Sequence, residues 1–503
     1  MEYMLYIGKE YYVEFCDLKK AFDKMILKNV MEDLWQSNVR GRIWRNIFVI
    51  NQSTDIIIKT PYGETEKINV QQILKQGSVL ASTLAALHTD SSNTYNQKEL
   101  GIFYGNLHLH SLLFQDDIAR IERKPENLNL ANQVYEVFQN LNGMEFHETK
   151  TVFISNRNNA VIKLNNEDLE QEKAVKYLGD IISSDNKYDE TIEDRKSSLN
   201  GIIAEIRSIM NEAQEEIEIK VAKQYHEGIV ITKLLYNCET WTYPTKNNIE
   251  ELEKVQNNSL KRLLRIPFST PSMGLLYELK LPTIRARIAI RKLMYFHRLN
   301  QNENSLAYLV LKEQEQLPSN NFYKEINEML QNYNINHNTE EIKGMNKGNW
   351  KKMVYKAVIE KDQQEIRTWC KNSKKCKNLI HEEGSLNYIE QIDGPNAKVI
   401  LIERLNMTNV KSNYKGSYSK TNTSINCNLC EEDEETTLHL LQCSKLKKTD
   451  KHIIDCYDKL HDNTTLLPDE LISLAKSITQ QIEDRDKLQI TAAFDESIDQ
   501  NTY

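Results

Sequence analysis

The sequence predicts an α+β protein, on three observations. An amino-terminal stretch mixes strand-like apolar runs with helical ones, a long remainder has helical periodicity and few breakers, and a compact Cys/His pattern stands near the carboxy end. At 503 residues the chain exceeds a single typical domain, so two or three are expected. Only nine prolines and sixteen glycines interrupt abundant Leu, Ile, Glu, Lys and Asn, a balance that fits helices joined by short polar loops. No run of eighteen apolar residues occurs, and the amino terminus lacks a basic and then apolar leader. A soluble intracellular protein, nuclear or cytoplasmic, with no membrane partner is therefore expected. Eight cysteines are too sparse for a secreted disulfide scaffold, which favours reduced thiols or metal ligation.

Taken in order, Tyr11-Tyr12-Val13-Glu14-Phe15 reads as a strand running into Asp17. Leu27, Val30, Met31, Leu34 and Trp35 recur at helical spacing. Residues 55–60, the turn Pro61-Tyr62-Gly63 and residues 67–70 read as a hairpin, and residues 107–114 as a strand ending at Asp116-Asp117. Leu130, Ala131, Val134, Val137, Phe138 and Leu141 predict a helix covering the back of the sheet. Residues 191–210 and 215–241 begin a helical region. Residues 300–420 are polar and rich in Asn and Lys, with a helix over 350–370.

Two acidic patches carry the chemistry. Asp17 follows one apolar run and Asp116-Asp117 another, at the points where strands give way to turns. An Asp-Asp pair in a turn is ordinarily a solvated turn. Carboxylates packed closely repel one another unless a cation holds them ionised, and hard oxygen ligands at this density suit Mg²⁺. Two such ions about 3.5–4 Å apart serve in-line phosphoryl transfer.

In company with their neighbours, these patches resemble the reverse transcriptase of non-LTR (LINE-type) retrotransposons, in order from about residue 5 to residue 300. Asp17 through Ala21-Phe22-Asp23 resembles the first catalytic motif, and Gln76-Gly77-Ser78-Val79-Leu80 the template-side motif. Phe114-Gln115-Asp116-Asp117 resembles the aromatic-x-Asp-Asp hairpin, residues 143–151 the fourth palm motif, and Tyr177-Leu178-Gly179 the primer grip. The resemblance implies a polymerase palm, an antiparallel sheet with covering helices, over residues 1–185. It also implies a thumb-like helical region over 186–300, a helical and polar linker over 301–420, a knuckle over 421–460 and a helical tail over 461–503.

Carried over by position, Asp17 and Asp116 would ligate two Mg²⁺, with Asp117 the supporting carboxylate. Phe22 would be the aromatic wall favouring deoxynucleotides, although a core Phe at a helix start is the competing reading. Lys150 would protonate the pyrophosphate leaving group, against the alternative of an exposed surface lysine. The implied partners are an RNA template, a DNA primer and deoxynucleoside triphosphates. Ala81-Ser82, Gln115 and His147 depart from the usual pattern. Sixteen residues precede Asp17, so the expectation is a truncated product lacking fingers and endonuclease.

The net charge of −8 is unusual for a nucleic-acid enzyme. Residues 246–298 nevertheless hold eleven Lys and Arg against four Glu, and a duplex-gripping surface at Lys261, Arg262, Arg265, Arg285, Arg287, Arg291, Lys292 and Arg298 competes with solvated helix faces. Finally, Cys427, Cys430, His439 and Cys443 follow C-x2-C-x8-H-x3-C, four ligands suited to one structural Zn²⁺, with Cys456 a substitute ligand. Two readings result: an RNA-directed DNA polymerase using two-metal nucleotidyl transfer, or a catalytically inactive retrotransposon-derived protein that binds nucleic acid.

Overall fold

A computed structural model of the chain describes residues 1–19, 24–52, 54–70, 78–91, 100–114, 117–147, 149–212, 217–335, 339–380, 387–392, 394–414, 424–462 and 464–499. Two compact units result. The first comprises Met1–Thr191, Thr242–Pro244 and Leu299–Glu325, and the second Ile192–Trp241, Thr245–Arg298 and Ile326–Tyr503.

The first unit is built on a five-stranded sheet. In chain order its strands are β1 (Tyr12–Cys16), β2 (Ser111–Phe114), β3 (Asp117–Glu122), β4 (Val152–Ser155) and β5 (Glu170–Glu172), arranged β5-β4-β1-β3-β2. Three of the four pairings are antiparallel, as a palm-like sheet predicts, but β5 joins β4 in parallel. The intervening residues 156–169, with a small Lys163–Leu164/Glu167–Asp168 hairpin, supply the crossover length that a parallel pair needs. A further hairpin, β6 (Ala174–Tyr177) with β7 (Asp180–Ser183), stands apart from that ladder.

All five residues of β1 are buried, so both faces of the sheet are covered. Alternation divides them. Tyr12, Cys16, Ile118 and Phe153 pack with α1 (Leu27–Gln36) and α2 (Pro125–Asn142) through Val30, Met31, Leu34, Leu128, Tyr135 and Phe138. Tyr11, Val13, Phe15, Ala119 and Ile154 pack on the other face with Val175, Tyr177 and Ile182 of the β6–β7 hairpin. Glu14 lies on the helix-covered face, fully buried. Its register partner Arg120 places Nη2 at 2.9 Å from the carboxylate, donates to Asn132 of α2, and lies over the Tyr135 ring at 4.5 Å.

The predicted helix over the back of the sheet is α2, and the predicted hairpin forms as Thr54–Ile56 against Ile68–Val70, with Lys59–Thr60 against Gly63–Glu64. Residues 107–114 form two strands instead of one. Leu107–Leu109 pairs with Ile102–Tyr104, and Ser111–Phe114 pairs with Asp117–Arg120, so the run changes partner at His110.

The second unit is helical among its described residues. It includes α3 (Lys246–Leu264), α4 (Ser272–Leu279), α5 (Lys347–Asn372), α6 (Gly394–Arg404), α7 (Thr437–Gln442), α8 (Lys451–His461) and α9 (Pro468–Asp499). Thr245 opens α3 with a capping box on Asn248, and Trp350 of α5 is fully buried, its indole donating to the Leu293 carbonyl at 3.0 Å. The duplex-gripping reading of residues 246–298 is available as a surface only in part: Arg265, Arg285 and Arg298 are exposed and Arg262 and Arg291 half-buried, but three of the eight are turned inward. Lys261, Arg287 and Lys292 are buried: Lys261 donates to the Phe268 carbonyl and Ser272 Oγ at 2.9 and 3.0 Å, and Arg287 pairs with Glu227. Long basic side chains on amphipathic helices here bury their stems and satisfy their heads inside the unit.

Candidate active site and candidate metal centre

The end of β1 is fixed by pairing on both sides. Against β3 the register runs from Tyr12↔Glu122 to Cys16↔Ile118, so Asp17 and Asp117 are the next residues of the two segments at this end of the ladder. Against β4 it reaches Phe15↔Val152, beyond which Lys150 N and Thr151 N turn back to donate to the His147 carbonyl at 3.0 and 2.8 Å. Lys150 Nζ lies 3.5 Å from Asp17 Oδ2, with both side chains substantially exposed. Alternation puts Asp17 and Asp117 on the face of Phe15 and Ala119.

The segment after α2 holds this edge in place. Gly143 ends the helix in the left-handed region at φ 67°, and the chain then turns so that Leu18 bridges Phe146. Lys19 N donates to the Glu145 carbonyl at 2.7 Å, His147 N to the Asp17 carbonyl at 2.8 Å, and Asp17 N to Thr151 Oγ1 at 3.4 Å. Asp17 is therefore anchored through its backbone while its carboxylate stays accessible. Thr151, the last residue of the 143–151 motif, provides one of these anchors.

The β6–β7 hairpin approaches the same face. The Tyr177 and Phe15 rings lie 5.1 Å apart, and burial first, then the nearby charge of Asp117, pushes the Tyr177 phenol up to about 12. The turn is Leu178-Gly179, with φ of 48° and 79°. Two positive φ values in a two-residue loop match the right-handed strand twist, and Gly179 takes its place without a Cβ penalty. Leu178 takes it with strain. The structure thus brings Asp17, Asp117, Lys150 and the Tyr177-Leu178-Gly179 turn to one edge. Asp116, Phe22, Gln76 and Gly77 lie outside the described residues.

A second cluster lies in the helical unit. The ligand atoms of Cys427, Cys430, His439 and Cys443 all fall within 4.8 Å of one another. Cys427 Sγ is 4.0 Å from Cys443 Sγ, and Cys430 Sγ is 3.3 Å from His439 Nε2. Tetrahedral zinc with Zn–S of about 2.3 Å requires S···S of about 3.8 Å, so the donor set fits that ion in type and spacing. Cys427 N donates to the Asp433 carbonyl at 2.8 Å, and Thr436 caps α7 by accepting from His439 N at 2.9 Å. Burial raises the Cys430 thiol, but backbone N–H groups of Glu432 and Asp433 outweigh it and bring the thiol below its ordinary range. Cys456 stands with His452 and Glu470 instead of this quartet.

Residues 2–182 match the family model "Reverse transcriptase (RNA-dependent DNA polymerase)". The amino-terminal part of the chain resembles a reverse transcriptase. Its match covers all five strands of the sheet and the β6–β7 turn. Among solved structures, the chain is similar to a telomerase from Candida albicans in complex with a TWJ fragment of telomeric RNA, at 9% identity and a TM-score of 0.27. That likeness covers 62% of this chain, which spans about half, 52%, of the telomerase chain. No curated protein matches. No described helix is long and apolar enough to cross a membrane.

Proposed function

We propose that the chain carries the palm of an RNA-directed DNA polymerase of the non-LTR retrotransposon type, extending a DNA primer on an RNA template from deoxynucleoside triphosphates. The observation that carries this reading is the convergence of Asp17, Asp117 and Lys150 from three strand ends on one accessible edge, within the matched residues. Clustered hard oxygen donors on an accessible edge fit Mg²⁺. Asp17 and Asp116 would hold two ions, with Asp117 the supporting carboxylate; when bound, the ions would activate the primer 3′-hydroxyl and offset charge on the departing pyrophosphate.

The chain's own groups do the rest. Lys150 exchanges its contact with Asp17 for the triphosphate and donates a proton to the leaving oxygen. The Tyr177-Leu178-Gly179 turn supports the primer end against the carboxylate face, and the strained Leu178 backbone is consistent with a tip held for a purpose. Gln76 and Gly77 would align the template, and Phe22 would select against a ribose 2′-hydroxyl. In the helical unit, Cys427, Cys430, His439 and Cys443 would hold one structural Zn²⁺.

Primer extension on an RNA template tests the polymerase reading, with Mn²⁺ titration in parallel. Asp17→Asn and Asp117→Asn are expected to weaken Mn²⁺ binding and to cut extension by about 10²–10³-fold, the scale of losing one transition-state charge stabiliser. Binding of primed RNA without any extension in the presence of Mg²⁺ would overturn the catalytic reading in favour of an inactive nucleic-acid-binding protein.

A further inference from the structure

We infer that the chain holds a second, separate transition-metal site at His452, Cys456 and Glu470. His452 and Cys456 are four residues apart in α8, so they share a helix face, and Glu470 comes from the first turn of α9. Their ligand atoms lie within 4.8 Å of one another: His452 Nε2 is 3.8 Å from Cys456 Sγ and 3.9 Å from Glu470 Oε1. Imidazole, thiolate and carboxylate at this spacing form a donor set for Zn²⁺ or a similar borderline ion, not for Mg²⁺.

Two local features orient the set. Glu470 Oε2 accepts from Leu467 N at 2.7 Å, which leaves Oε1 facing His452. Asp450 caps α8 by accepting from His452 N at 2.9 Å, which fixes the turn carrying the imidazole. Cys456 is fully buried and the His452 side chain is 60% exposed, so an ion enters from the histidine side and meets the thiol at the bottom. Lys459 Nζ lies 3.5 Å from the same Glu470 Oε1, and the ion would displace that contact.

On binding, the Cys456 thiol loses its proton to solvent, so thiolate and carboxylate together balance a divalent charge. Three protein ligands leave a fourth position for water, unlike the closed quartet at Cys427. The site is independent of the polymerase reading and of the Cys427 quartet.

Metal content of the full chain, by elemental analysis and by competition with a chromogenic chelator, tests the inference. In a Cys427→Ser background one equivalent of zinc should remain, and adding His452→Ala should remove it. His452 is exposed enough for that substitution to leave the helix folded, and circular dichroism checks this. Wild-type zinc of one equivalent that survives Cys427→Ser and is lost in His452→Ala would support this site while refuting the quartet. No zinc left in folded Cys427→Ser, or residual zinc insensitive to His452→Ala, would overturn it.

Discussion

The carboxylate edge and the Cys/His quartet are both clusters of ligating side chains, but they are assembled over different distances. The quartet draws its four residues from 427–443, a span that one turn and one short helix close locally. The edge joins Asp17 to Asp117 and Lys150, 100 and 133 residues further along the chain, and depends on the pairing of β1 with both its neighbours. A one-residue slip of β1 would turn Asp17 to the opposite face. A locally closed cluster needs its ligands; a register-built one needs the whole sheet.

The largest expected effect breaks the local cluster. Structural zinc sites of this kind are worth about 10–16 kcal/mol of binding, and removing a thiolate opens the closed shell. Cys427→Ser should therefore abolish zinc retention at the quartet in a chelator competition while leaving denaturation of the β-sheet unit unchanged. A simultaneous loss of the sheet's structure would erase the contrast drawn between the two regions.

Breaking the edge requires a change beneath it, not at it. Glu14 and Arg120 face each other in the helix-covered core, three residues from Asp17 on the same strand. Arg120→Met leaves a buried carboxylate without its cation and should cost about 3–5 kcal/mol. Adding Glu14→Gln should restore part of that loss, because a neutral amide is cheaper to bury than a lone charge. Chemical denaturation measures both, and a double substitution no more stable than Arg120→Met would show that the pair's charge is not what matters.

These distances also explain what the sequence disclosed. Period-two and helical patterns were sufficient for β1, the hairpin of residues 54–70, α1 and α2, because each pattern is local. The Cys spacing was legible for the same reason. Residues 107–114 read as one strand because periodicity reports burial and not partner, and the partner changes at His110. Glu14 and Arg120 gave no signal: a charged residue inside a strand reads as solvent-facing until its register partner is known. The charge run of residues 246–298 was legible only in part, since composition does not show that Lys261 and Arg287 find acceptors within their own unit while Arg265, Arg285 and Arg298 stay exposed. His452, Cys456 and Glu470 span nineteen residues, yet Glu470 belongs to the next helix, so no spacing rule links it to the other two.

At the edge itself, Lys150 is the point where a catalytic and a merely electrostatic role part. If it donates the proton to the leaving group, Lys150→Met should reduce single-turnover extension by about 10²-fold, the lower end for general acid catalysis, with Mn²⁺ affinity unchanged or tighter. Tighter binding follows from removing a competing cation 3.5 Å from Asp17 Oδ2. Unchanged extension would make Lys150 a surface partner of Asp17 and nothing more.

The smallest effect concerns a cation that, unlike Lys150, is turned inward. Arg287 grips Glu227 through two contacts of 2.7 and 2.5 Å, and His226 Nδ1 lies 3.2 Å from the same carboxylate. Burial pushes Glu227 up, but the hydrogen bonds from His226 and Arg287 and the Arg287 charge outweigh it and hold the group at about 2. A carboxyl depressed in the folded state stabilises the fold above its ordinary value of 4.5, and that contribution disappears as pH falls through about 2. The Glu227 side chain is 42% exposed, so solvent screening keeps the effect modest. The difference in melting temperature between wild type and Glu227→Gln should therefore be flat from neutral pH down to about 5 and should narrow as the medium is acidified further. A gap that persists undiminished at the acid end would mean that packing of the Arg287 stem, not the ion pair, supports this part of the helical unit, and that inward-turned cations here are held for shape and not for charge.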